Sequence, residues 1–301
     1  MPAPEADALM LGGVRITHPD RVLFAGEGTA KGMTKGDLAR YHAALAPLML
    51  PHAADRPMSL VRCPDGVEGD CFYQKHAGGA FGPHVHGIPI VDKDGRSDDY
   101  LYIDDADGLL ACVQMGAIEF HGWGAHVADV ERPDRMVFDL DPDEGLGFAA
   151  VRAAAREVRS RLAAEGLESF AMLTGGKGIH VVVPLAPGHD WAAHRDFARA
   201  LALRMSEDAP ARFVATMSRE KRKGRIFIDW LRNQRGNTAI MPYSVRARAG
   251  APVAAPVSWD ELDGMESARR FGIGDTAALL ARASSPALAD WGRAAQRLPV
   301  P

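Results

Sequence analysis

Residues 135–230 of this 301-residue chain switch between two hydrophobic periods in an order that few folds accept. The stretch MVFDL (136–140) is apolar and partly β-branched, is entered from a turn at 132–134, and predicts a strand. Helical periodicity runs from about 148 to 164 and is closed by Gly166. Strands are expected over 169–173 and 179–185, joined by the tight turn TGGKG (174–178). A helix capped by Asp190 reaches about 205, and a last strand covers 225–230, with 213–217 as a short extra one. The order β-α-β-β-α-β is the split-βαβ, ferredoxin- or RRM-like arrangement, so the fold class is α+β.

The first of these strands ends in RMVFDLDPDE (135–144), with carboxylates at i and i+2. Side chains alternate along a strand, so Asp139 and Asp141 share one face, and Pro142 ends the ladder behind them. Two co-facial carboxylates repel and need a compensating charge, which a divalent cation supplies; otherwise the pair caps a turn. The turn at 174–178 exposes backbone N–H groups that suit an anion, with Lys177 at its tip and His180 beyond it, or it is a plain hairpin. Asp229 stands inside the apolar IFIDWL (226–231) and requires either an arginine or a metal. These elements place Asp139, Asp141, Asp229, Lys177 and His180 on one sheet face.

Between 219 and 248 lie nine basic and two acidic residues, in a chain whose net charge is −4. A solvated face is the ordinary reading; around an acid, the same cations suit a polyphosphate or nucleic-acid groove, with Asn233 and Ser244 as neutral donors. Phe72 and Tyr73, beside Gln74, Lys75 and His76, are core aromatics or a stacking platform. His121 is a nucleotide contact or a core histidine. No nucleophile constellation is evident.

Residues 1–13 read as a loose tail, 14–134 as a mixed α/β module, and 135–301 as the RRM-like module with an extension. A helix is expected from Lys35 to about Met49, capped by Thr34 and closed at Pro51. Hydrophobic content of 47% and charged content of 25% fit a globular protein. No membrane span or signal peptide is evident. Three cysteines without a C-x-x-C pair predict reduced thiols and a cytoplasmic location.

Three segments, VFDLDPD (137–143), TGGKGIH (174–180) and FIDWLRN (227–233) with MPYSVRAR (241–248), resemble the motifs of the polymerase module of bacterial DNA ligase D, in the archaeo-eukaryotic primase superfamily. THPDRVLF (17–24), MTKGDLARY (33–41), RCPDG (62–66) and CFYQKH (71–76) resemble it as well, so the likeness covers about residues 14–263. It implies a primase-polymerase fold, with the RRM-like catalytic module packed on the N-terminal one. It implies a bacterial, nucleoid-associated enzyme that adds nucleotides, preferably ribonucleotides, to primer ends in non-homologous end joining, beside Ku and ligase or nuclease modules. By position, Asp139, Asp141 and Asp229 resemble the acids that hold two Mn²⁺ or Mg²⁺ ions. Thr174, Lys177, His180 and Arg246 resemble contacts to the nucleoside triphosphate, with Arg222 and Arg232 as secondary candidates; His121, from the reading of its own segment, joins the nucleotide-binding set. Arg21 and Lys35 fall where the family grips the 5′-phosphate of gapped DNA, and Phe72 or Tyr73 where it stacks on the template; Lys75 beside them is expected to contact DNA. A non-catalytic DNA-end adaptor and a D-x-D phosphoryl- or glycosyl-transfer enzyme are the other readings; neither explains both the acids and the basic segment.

Overall fold

A computed structural model describes residues 8–26, 31–92 and 94–299. They group into two compact units, one of Met1–Gly122, Ile240–Val253 and Phe271–Leu280, the other of Trp123–Ala239, Ala254–Arg270 and Ala281–Pro301. The chain thus passes between units several times, where the sequence suggested one boundary near residue 134.

The first unit opens with a hairpin of β1 (Leu9–Leu11) on β2 (Val14–Ile16). Gly12 turns it at φ +53°, and Gly13 N donates to the Asp107 carboxylate at 3.0 Å, so residues 9–13 are built structure and not a tail. Residues 1–7 of the expected tail, and residues 27–30, lie outside the described residues. After β3 (Val22–Phe24) and β4 (Met33–Thr34), helix α1 (Lys35–Ala53) starts in a Thr34/Asp37 capping box, as expected. It does not stop at Pro51. Pro47 and Pro51 lie inside it, because buried Leu45, Ala46, Met49 and Ala53 keep one face packed although two N–H donors are lost.

Next come β5 (Met58–Arg62) and β6 (Phe72–Gln74), then the antiparallel pair β7 (His86–Val91) and β8 (Ser97–Tyr102). Helix α2 (Ala106–Gln114) and β9 (Ala117–Gly122) follow. β5 lies between β6 and β9 in a four-stranded sheet. Its register pairs Arg62 with Phe72, which sets Cys63 and Cys71 opposite each other one step further on. They form a disulfide, whereas reduced thiols were expected; only Cys112 is free, and it is buried. The spacing was a poor guide because the pairing is set by the hairpin.

The second unit contains β10 (Arg135–Pro142), α3 (Phe148–Ala164), β11 (Phe170–Leu173), β12 (Ile179–Pro184), α4 (Trp191–Asp208), β13 (Phe213–Val214) and β14 (Ile226–Asp229). β15 (Ala239–Ile240) joins β9 at the edge of the four-stranded sheet, β16 (Ala255–Val257) and α5 (Trp259–Asp263) complete the second unit, and α6 (Thr276–Ala283) begins in the first. The sheet order in the second unit is β13-β14-β10-β12-β11-β16. Its inner four strands carry the expected ferredoxin-like order, with β10 central and antiparallel to both neighbours. No helix among the described residues is long and apolar enough to cross a membrane.

β14 pairs with β10 only over residues 139–142. Before that point a side chain takes its place. Asn233 Oδ1 accepts from Val137 N at 2.7 Å, and its Nδ2 donates to Val137 O at 2.8 Å and to Trp230 O at 3.0 Å. Asn233 is therefore a buried structural amide, not the ligand donor its setting suggested. Asn233→Ala should strand two buried backbone groups and lower stability by roughly 2–4 kcal/mol in urea unfolding.

Candidate active site

Asp139 lies at the centre of the second unit's sheet, with His180 as its register partner on one side and Asp229 on the other. Direct cross-strand partners share a face, so two acids and an imidazole converge, and Asp141 follows on the same face. One guanidinium bridges the closest acids: Arg232 Nη2 is 3.2 Å from Asp139 and its Nε 3.1 Å from Asp229. Arg232 comes from a 3-10 turn at Leu231–Asn233. Leu231 N also donates to Asp229 Oδ1 at 3.0 Å, and burial still raises the Asp229 pKa against these partners. Of the alternatives for Asp229, an arginine is the partner present.

Asp141 has two further cations, Lys177 Nζ at 3.6 Å and Arg222 Nη1 at 3.4 Å. Arg222 lies 3.7 Å above the Phe227 ring, which opposes Asp141 across β10 and β14. His180 Nε2 is 3.4 Å from Asp139, while its buried Nδ1 has no hydrogen-bond partner among the described residues.

The glycine turn brings Lys177 here. Gly175 has φ +68°, and a Cβ on Gly178 would stand 2.4 Å from Leu140 O, so no other residue fits against the end of β10. Thr174 is engaged inside the turn: its hydroxyl donates to Gly178 O at 2.9 Å and accepts from Gly176 N at 3.3 Å. A cavity of about 350 Å³ adjoins the turn, lined in part by Lys177, Arg269, Asp143 and Glu144.

The other expected residues belong to the first unit. His121 Nε2 is 2.7 Å from Glu119 Oε2, and Arg246 Nε is 3.1 Å from the same oxygen. Glu119 was not singled out, although an acid in the apolar AIEFHG (117–122) is the signal that marked Asp229. Ser244, expected as a ligand donor, is buried and accepts from Phe120 N at 2.9 Å. Within the basic segment, Arg222, Arg232, Arg235 and Arg246 each meet an acid.

Arg21 and Lys35 line one pocket of about 190 Å³ together with Arg62, which sequence reasoning missed. The Lys35 stem is buried, and Nζ donates to Thr17 O at 3.1 Å and Gln114 Oε1 at 2.8 Å. Burial and the nearby Arg21 lower its pKa to about 8. Phe72 and Tyr73 are exposed, at 45% and 73%, and alternate faces of β6. Phe72 lies under the Arg62 guanidinium, 5.2 Å away, while Tyr73 stands 6.2 Å from the His121 ring. Lys75 leans on the Tyr100 ring at 5.4 Å.

Among the described residues no group of three or more His, Cys, Asp or Glu side chains is set as a metal site. The donor chemistry nevertheless fits a hard divalent cation, because Asp139 and Asp229 already converge on one positive group and Asp141 follows them.

Acids on an RRM-like sheet, ringed by cations, belong with phosphoryl-transfer chemistry, and the match of residues 34–287 to the LigD primase-polymerase domain makes the protein a nucleotidyltransferase. The chain belongs to the LigD primase-polymerase domain family, as its motifs implied. It is 41% identical over 263 residues to the multifunctional non-homologous end joining protein LigD of Pseudomonas aeruginosa, covering 87% of this chain and 30% of that protein. The bifunctional LigD of Bacillus subtilis is 29% identical over 250 residues, 83% of this chain and 39% of that one. The chain spans about a third of the length of these relatives. The polymerase domain of Mycobacterium tuberculosis ligase D, solved in complex with DNA, superimposes with a TM-score of 0.82 at 33% identity, covering 92% of this chain and 99% of that domain.

Arg232→Ala should leave Asp139 and Asp229 facing each other unbridged and lower stability by roughly 1–3 kcal/mol. Adding Asp139→Asn to that variant should recover part of the loss, which a double-mutant cycle in urea measures.

Proposed function

We propose that the chain is a DNA-directed, primase-type polymerase that extends a primer 3′-OH at DNA ends and gaps in non-homologous end joining. The observation that carries this reading is the convergence of Asp139, Asp141 and Asp229 on one sheet face, within a chain of the LigD primase-polymerase family. Asp139, Asp141 and Asp229 are the residues to hold two Mn²⁺ or Mg²⁺ ions. Bound there, the ions supply Lewis acidity for the primer hydroxyl and charge for the pyrophosphate leaving group.

The chain's own part is neutralisation and placement. Lys177, Arg222 and Arg232 present cations beside the acids, and His180 presents a buried ring nitrogen; all four suit a triphosphate. Thr174 shapes the turn that carries Lys177, and its hydroxyl contact to nucleotide remains part of the proposal. Arg246 is assigned to the nucleotide by its family position, and His121 with it because both meet the same Glu119 oxygen. Ribonucleotides are the preferred substrates.

For DNA, Arg21 and Lys35 are the 5′-phosphate contacts, and the pocket they share with Arg62 supports that role. Phe72 or Tyr73 stacks on the template, with Lys75 near the backbone. Ku and ligase or nuclease modules are the protein partners, and the bacterial cytoplasm, at the nucleoid, is the location.

Asp139→Ala and Asp141→Ala should each abolish Mn²⁺-dependent primer extension while binding of DNA ends, followed by anisotropy, is retained. Substantial extension by either variant would remove these residues from the reacting centre.

Gapped DNA with a 5′-phosphate should bind more tightly than the same DNA with a 5′-hydroxyl, and Lys35→Ala should erase most of the difference. Since burial and Arg21 lower the Lys35 pKa to about 8, the preference should shrink between roughly pH 7 and pH 9 at constant ionic strength. A preference that is flat over that range would leave Lys35 without the role.

A further inference from the structure

Glu119 stands on β9 two residues before His121, so both side chains leave the same face of the strand. It is buried, and an isolated carboxylate there would be strongly disfavoured. Three groups answer it. Oε1 accepts from Ala247 N at 2.8 Å, and Oε2 meets both His121 Nε2 at 2.7 Å and Arg246 Nε at 3.1 Å. Burial alone would push its pKa up; the His121 hydrogen bond, Arg246 and Ala247 reverse that and hold it at about 2.

The pattern of contacts is specific. Glu119 takes His121 through Nε2, which sets the ring's orientation, and the same oxygen lies 3.1 Å from Arg246 Nε as an ion pair. Its second oxygen fixes the backbone next to Arg246. The carrier segment is held as well: Arg246 N donates to Pro252 O at 2.8 Å, Phe120 N to Ser244 Oγ at 2.9 Å, and Tyr41 Oη to Tyr243 O at 2.8 Å. The fold of this segment therefore has its own ties, and Glu119 adds the coupling of one side chain to the other.

We infer that Glu119 is a positioning residue: through one carboxylate it sets His121 and Arg246, and thereby the grip on the incoming nucleoside triphosphate, without touching the substrate itself. This rests on the reading of His121 and Arg246 as nucleotide contacts. Charge-bearing ligands held by an outer partner lose affinity when that partner is removed, and the same logic applies to donors aimed at a polyanion.

Glu119→Gln keeps the shape and removes the charge. In Mn²⁺-dependent primer extension it should raise KM for the ribonucleoside triphosphate roughly ten-fold, with kcat reduced less than about three-fold. Glu119→Asp, which keeps the charge on a shorter arm, should show the same split to a smaller degree, and it replaces the first variant should that one not fold. His121→Ala and Arg246→Ala should each raise KM, and Glu119→Gln should add little to the His121→Ala/Arg246→Ala double variant. If His121→Ala and Arg246→Ala leave KM unchanged, the nucleotide role of those residues fails. If they raise KM and both Glu119 variants do not, or if the variants lower kcat and melting temperature at unchanged KM, Glu119 is only a structural anchor and the inference is overturned.

Discussion

Like-charge repulsion at the middle of one sheet is the constraint that the second unit is built to contain. Asp139 and Asp229 are forced together by strand register, not by flexible side chains, so neither can retreat. The surrounding structure supplies the remedy: Arg232 on a turn that follows β14, Lys177 on a glycine turn, and Arg222 on an aromatic ring. A cluster held in this balance is primed to exchange one cation for another. That property suits the metal ions and polyphosphate proposed for this site.

The first unit solves the opposite problem. There a single carboxylate, Glu119, gathers two cationic or basic side chains, and the negative charge is the minority partner. Arg21, Lys35 and Arg62 form a second concentration of positive charge, where burial has already weakened one ammonium. In both places an anion relieves the chain, the reverse of what the acid cluster requires.

Much of this was legible in the sequence. The alternation of MVFDLDP fixed the shared face of Asp139 and Asp141, and an acid inside IFIDWL announced a partner. The order of elements predicted the four inner strands of the sheet, while β16 at its edge, three residues far along the chain, was not foreseen. The rest depends on distance in the chain. Arg232, Asn233 and Ser244 all lay in a stretch that read as basic and polar, yet only the fold separates the bridging cation from the amide and the hydroxyl that bond to backbone. Glu119 and Arg246 lie far apart in sequence and carry no joint pattern. The Cys63–Cys71 bond escaped notice because composition speaks of compartments while hairpin register decides which thiols meet. Pro51 misled in the same way, since local propensity ended a helix that tertiary packing continues.

The amide of Asn233 has one more effect. Where β14 falls short, the outer rim of β10 would present bare N–H and C=O groups at the very strand that bears the acids. Such a rim invites another polypeptide to add a strand, and growing oligomers begin that way. By imitating a peptide unit at Val137, one side chain closes the rim without the stiffness of a full strand. The short β14 can then end at Asp229 and turn its following residues, Arg232 among them, to the acids.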